Sequence, residues 1–237
     1  MKKVILYLVT ASVICCNHSC NKEVAPDETH AKELSEKLEI AFRKSSTSNL
    51  EQFFIDWNTS VSSNTANQSD IAKIIYEIYK EFYNPLDLTT LSEWQWGDTN
   101  SKYVVIQNKI YYAVAEKELF DTDWLINRDS IDDFRPELNL AKNKVLYLLP
   151  DYEKALIMFL GTDTSDNNWE RYEFIHPQIP IMIGWALVNP AVDLILLDTN
   201  KTFAKVFFSG NFRGGEAILE KKDNKWVITE CKATWIE

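Results

Sequence analysis

Residues 202–228 read TFAKVFFSGNFRGGEAILEKKDNKWVI. Phe203–Phe208 and Glu216–Lys222 set aliphatic and aromatic residues among Lys and Glu. Such runs, bounded by turn residues, read as strands. A further run of the same kind extends from Lys225 to Ile236. Asp223-Asn224 separates the last two runs, and such a pair tolerates the positive φ angles of a two-residue hairpin turn. Gly214-Gly215 opens a strand and not a helix, so it suits a bulge or tight bend better than a phosphate loop.

Working upstream, the strand pattern continues through Val192–Leu197 and Ile179–Trp185. Residues 102–108 and 109–116 read as two β-branched and aromatic strands meeting at a tight turn. Between these groups, residues 121–144 are acidic and irregular. Pro150 to Leu160 reads as a short helix with Gly161 past its end. Before residue 100 the apolar period becomes helical. Ala31, Leu34, Leu38, Ala41 and Phe42 form one stripe, and Leu50, Phe53, Phe54 and Trp57 a second, opened by a Ser48–Glu51 capping box. Ile71, Ile74, Ile75, Ile78 and Phe82 form a third, capped by Ser69 or Asp70 and stopped at Asn84-Pro85. Helices followed by a run of strands predict an α+β fold with a mostly antiparallel curved sheet. The expected organisation is one domain over 29–237, with a helical part at 29–84 and a sheet-rich part at 102–237.

The strands quoted above, Thr202–Phe208, Gly214–Lys221 and Asp223–Ile228, resemble the closing strands of the nuclear transport factor 2-like (NTF2-like) superfamily. The resemblance covers about 45 of the 237 residues and implies a curved sheet wrapped around helices as a cone. Residues 85–180 exceed a minimal fold of that type.

The amino terminus is an address. Lys2 and Lys3 precede an apolar segment from Val4 to Cys16, 13 residues long. A bilayer-spanning helix needs about 20, so the segment fits a signal peptide over 1–19. Ser19-Cys20 then resembles a bacterial lipoprotein cleavage site, with Cys20 as the lipidated first residue of the mature chain. Cys15 and Cys16 are rival acceptors, each preceded by a bulkier residue, and an ordinary cleaved secretory signal is the alternative. Residues 20–28 form a polar tether. The expected place is the cell envelope, anchored to the outer membrane and facing the periplasm or the cell surface.

Cleavage would remove Lys2 and Lys3, taking the net charge from −10 to −12. So acidic a domain disfavours nucleic acid and anionic membrane surfaces as partners. Six glycines leave little for phosphate-cradling loops, and no cofactor is expected. Cys231 becomes the lone thiol, so no internal disulfide supports the fold.

Chemistry-bearing residues are sparse. His30 and His176 are the histidines beyond the signal. Two distant histidines and one thiol do not make a zinc site, and none of the acid pairs Asp121/Asp123, Asp132/Asp133 and Asp163/Asp166 has EF-hand spacing. His176, at the end of a strand-like run, is a structural residue or the base of an enzyme; Asp56 and Glu216 are the acidic alternatives. Trp94 and Trp96 are the candidate ligand or partner surface, by stacking on a sugar or gripping a protein; packing is the other role for aromatics at strand spacing. Asp129-Ser130-Ile131 matches a short O-glycosylation pattern. Three classes of function follow. One is a non-catalytic binding domain for a protein or glycan, an immunity-type neutraliser of a basic toxin being one version. The others are an enzyme with a cone-shaped cavity and a structural envelope component.

Overall fold

The computed structural model describes residues 27–43, 47–60, 69–84, 87–89, 91, 103–125, 127–138, 144–161, 171, 175–177, 190–210 and 213–236. Cys20, Trp94, Trp96, the Asp163/Asp166 pair and the strand expected over Ile179–Trp185 lie outside them.

The helical periodicity is realised as α1 (Glu28–Arg43), α2 (Thr47–Ser60), α3 (Asp70–Phe82) and α4 (Pro150–Gly161). Asp27 caps α1, its carboxylate accepting from the Thr29 amide at 2.9 Å. The same turn grips α4: the Asp27 amide donates to Asp151 at 3.0 Å and Lys154 reaches Glu28 at 2.6 Å. Asp27 and Glu28, expected as the end of the tether, therefore belong to the folded helix. Ser69 caps α3 by accepting from the Ala72 amide at 3.1 Å, which satisfies one of the helix's orphan donors. Arg171 is buried; its guanidinium donates to the Phe159 carbonyl, pairs with Glu39 at 2.8 Å and lies over the Phe159 ring.

Among the described residues nine strands form two sheets: β1 (Tyr103–Gln107), β2 (Ile110–Ala115), β3 (Asp129–Ile131), β4 (Lys144–Leu148), β5 (Ile175–Pro177), β6 (Ala191–Asp198), β7 (Phe203–Gly210), β8 (Arg213–Lys222) and β9 (Lys225–Ile236). The larger sheet has the order β3-β2-β6-β7-β8-β9. It is antiparallel except where β2 lies parallel to β6. Together with the four helices it makes the fold α+β. Asp223 and Asn224 have φ of 49° and 64°, as a primed hairpin turn requires.

The smaller sheet, β4-β1-β5, is wholly parallel and corrects two expectations. Residues 102–116 do contain two strands, but they form no hairpin: β1 and β2 belong to different sheets. Every residue of β1 is buried, as in a strand covered on both faces, which is the usual state of parallel sheets. In β2 exposed and buried residues interleave, because part of one face meets solvent. Lys144–Leu148 falls at the end of the stretch read as irregular and runs into the residues before Pro150. It is a strand because β1 offers it an edge.

Three apolar clusters explain the layering. Leu34, Leu38, Phe53, Phe54 and Trp57 of α1 and α2 pack with α4 on Tyr103, Val105, Leu146 and Leu148. The opposite faces of β1 and β4, through Val104, Ile106 and Tyr147, join α3 and the inner face of the larger sheet. The outer face carries a third cluster, in which Phe120 of the 3-10 helix Lys117–Leu125 covers Ala113, Leu194 and Leu196.

One polar side chain stitches the two sheets together. Gln107, the last residue of β1, is buried. Its amide donates to the Val192 carbonyl at 2.9 Å and to the Lys109 carbonyl at 2.8 Å, while its oxygen accepts from the Val192 amide at 2.7 Å. A primary amide presents the same donor and acceptor as a peptide group, so Gln107 acts as an extra rung between β1 and β6.

Candidate functional site

Adjacent parallel strands place their carboxyl ends, and the loops that follow, on one rim of a sheet; ligands of open sheets collect outside such ends. Here β2 and β6 run parallel, and β8 runs in the same direction because two antiparallel steps separate it from β6. Their carboxyl ends and the start of β7 enclose an open cleft of about 400 Å³. Its lining comprises Glu116, Lys117 and Glu118 after β2, Asp198, Thr199 and Asn200 after β6, Thr202 and Phe203 before β7, and Glu220 and Lys221 at the end of β8.

The β6–β7 connection holds its shape through Asp198. The carboxylate is buried and accepts from the Thr202 and Phe203 amides, each at 2.7 Å, and from the Thr202 hydroxyl at 3.3 Å. Lys201 in this loop has φ 60°, a left-handed conformation that a firmly bonded turn sustains. With Oδ1 accepting from two backbone amides and Oδ2 from the Thr202 hydroxyl, Asp198 organises the loop. Across the cleft the Thr199 hydroxyl donates to Glu116 at 3.2 Å. The Lys117 ammonium sits 3.5 Å from the centre of the Phe203 ring, a cation–π contact. Four carboxylates face two ammonium groups, so the cleft favours a cationic or hydrogen-bonding polar guest.

Among the described residues, none of those singled out by type lies in this cleft. His176 is in β5, where it pairs with Val104 of β1, in the other sheet. His30 Nδ1 lies 2.8 Å from Asp151 on the helical side. Asp56 is exposed on α2 and accepts from Gln52 at 2.8 Å. Glu216 stands on the outer face of β8 between Lys205 at 2.8 Å and Lys232 at 2.9 Å. Burial pushes its carboxyl up, but hydrogen bonds and charge from the two lysines outweigh this and hold it below the ordinary glutamate value. A carboxylate so stabilised is a poor general base near neutral pH. Burial pushes the Cys231 thiol up to about 11, which keeps it in the unreactive protonated form, as expected for a strand-core cysteine.

Other acidic candidates among the described residues are held in ion pairs. Asp121 pairs with Lys205 at 3.4 Å, Asp132 with Lys109 at 3.4 Å, and Asp133 with Arg135. Among the described residues no group of three or more His, Cys, Asp or Glu comes close enough to hold a metal ion. Ser130 of the glycosylation-like triplet donates to Asp132 at 2.8 Å from the edge strand β3. Gly214 and Gly215 sit at a register shift between β8 and β9. The Trp235 indole covers Gly214 so closely that a Cβ would lie 2.1 Å from its nitrogen. Trp226 is buried in the core, and Trp235 is 46% exposed.

The cleft residues were legible only as turn chemistry. Asp-Thr-Asn-Lys-Thr at 198–202 has the residue types of a side-chain-bonded loop, but nothing local brings it to residues 116–118 and 220–221. Among the described residues no helix is long and apolar enough to cross a membrane. Compared with protein-family models, with curated proteins and with solved structures, the chain matches none.

Proposed function

We propose that the chain is a lipid-anchored envelope protein whose folded domain works by binding a cationic or polar partner at the rim cleft. The observation that carries the binding half is the cleft itself. It is open, it is lined by Glu116, Glu118 and Glu220, and its buried acid Asp198 is spent on loop structure. The anchoring half rests on the apolar segment Val4–Cys16 and the Ser19-Cys20 junction. α1 begins at Glu28, so a tether of only a few residues would separate Cys20 from the domain and keep it close to the membrane surface. An NTF2-like cone is the finer reading of the fold. Its support is the antiparallel β7-β8-β9 run with α3 packed on the inner face of the larger sheet; the parallel β4-β1-β5 sheet is an addition to such a cone.

The two halves are tested separately. Metabolic labelling with an alkyne fatty acid should label the full chain and leave it in the membrane fraction, and Cys20→Ala should abolish both. Persistent labelling of Cys20→Ala would shift the acceptor to Cys15 or Cys16, and an unlabelled parent chain would remove the anchor altogether. For binding, a cationic peptide probe such as an oligolysine is titrated against the chain. Glu116→Gln, Glu118→Gln and Glu220→Gln together should weaken it by about tenfold, roughly 1.4 kcal/mol. Three neutralisations on the helical side, Glu33→Gln, Glu36→Gln and Glu51→Gln, change the net charge equally and should have much less effect. Equal loss in both sets would show diffuse charge attraction instead of a site.

A further inference from the structure

The larger sheet ends in two dissimilar edges. Among the described residues, β3 has three residues, whereas β9 has twelve and pairs on one side only, with β8. A long edge strand exposes a row of backbone donors and acceptors that another strand can take up. Two register shifts, opposite Gly214/Gly215 and Ile218/Leu219, add residues to β9; together with Lys225 and Lys232 they deter arbitrary strands, so a partner must match the side-chain pattern.

That pattern is self-complementary. The β8 partners Ala217 and Leu219 are buried in the core, so the alternate β8 positions and their β9 neighbours lie on the outer face. Those neighbours are Val227, Glu230, Lys232 and Trp235. Val227 and Trp235 are 39% and 46% exposed. All four are disposed symmetrically about Cys231. We propose that β9 pairs antiparallel with β9 of a second copy about a two-fold axis at Cys231. Glu230 then faces Lys232 of the second copy, and Val227 faces Trp235 of the second copy, each pair occurring twice. Directly opposed side chains of an antiparallel pair share a face and interact closely, and a two-fold interface uses one patch on both subunits. The charge pairs set the register, and the apolar pairs cover the two exposed side chains at its ends.

The mass of the full chain in detergent micelles, measured by sedimentation with the detergent contribution matched out, tests the pairing. The parent chain should run as a dimer at micromolar concentration. Glu230→Lys sets lysine opposite lysine at both symmetric positions and should raise the dimer dissociation constant by about tenfold or more. Val227→Glu places a charge against each Trp235 and should act in the same direction. Both residues are exposed, so the thermal midpoint of the monomer serves as the check that the fold is retained. A monomeric parent chain overturns the proposal. So does a dimer that survives both substitutions, since association through lipid anchors would be indifferent to either.

Discussion

Trp57→Ala is expected to lower the unfolding free energy by about 3–5 kcal/mol, the range for truncating a fully buried large aromatic. Trp57 has no exposed surface. Its ring stacks on Tyr152 of α4 with centroids 4.4 Å apart and lies against Phe53 and Phe54 of its own helix. Its indole N–H donates to the Tyr147 carbonyl of β4 at 2.9 Å. One side chain therefore binds α2, α4 and the parallel sheet at once. Truncation opens a cavity at that junction and strands a carbonyl oxygen. For a domain of this size each kcal/mol moves the melting temperature by about 2–4 °C, so a fall of roughly 10 °C is expected in thermal unfolding followed by circular dichroism. Trp57→Phe keeps most of the apolar volume but loses the donor, and should sit about 1–2 kcal/mol below the parent. A shift under about 2 °C for Trp57→Ala would mean that the helical layer is not held through this residue.

Gln107→Leu should cost about 2–4 kcal/mol, because it leaves the buried Val192 N–H and C=O without partners. The informative comparison is Gln107→Glu. One carboxylate oxygen can still accept from the Val192 amide. The other then faces the Val192 and Lys109 carbonyls, which the native amide approaches at 2.9 and 2.8 Å. Only a protonated carboxyl can donate there, so the folded state raises the pKa of that glutamate above its ordinary value near 4.3. A group whose folded pKa is raised contributes its full stability below the unfolded pKa and loses it as pH rises through the folded pKa. Chemical denaturation across pH 4–8 should therefore show Gln107→Glu weakening as pH increases, while Gln107→Leu stays parallel to the parent chain. Parallel curves for all three would show that the side chain is not engaged as an extra rung.

The elements that periodicity identified are those whose structure is local. Helix positions such as Ile75, Ile78 and Phe82 share a face whatever lies opposite, and Ser69 caps from three residues away. The Asp223-Asn224 turn likewise depends on two residues and their φ angles. Strand pairing does not work that way. β1 and β2 are adjacent in sequence, and the hairpin expected of them does not form because β1's partners are 144–148 and 175–177. Burial on both faces removes from β1 the alternation that would distinguish a central parallel strand from one arm of a hairpin, and β4 forms because β1 offers it an edge.

The site divides the same way. His176, Trp94 and Trp96 were chosen for their chemistry and carry no information about their neighbours. The rim cleft draws on three chain segments about 80 residues and then 20 residues apart, joined by the single parallel contact of β2 with β6. Sequence alone determined the helical faces and the turn chemistry, because each depends on residues within a few positions of one another, and the net acidity, which composition sets. Only the tertiary structure decided which strands are neighbours, where their carboxyl ends meet and which strand is left at the edge. Those outcomes depend on long-range packing, in which one apolar strand can satisfy its backbone against several others and the surrounding helices select among them.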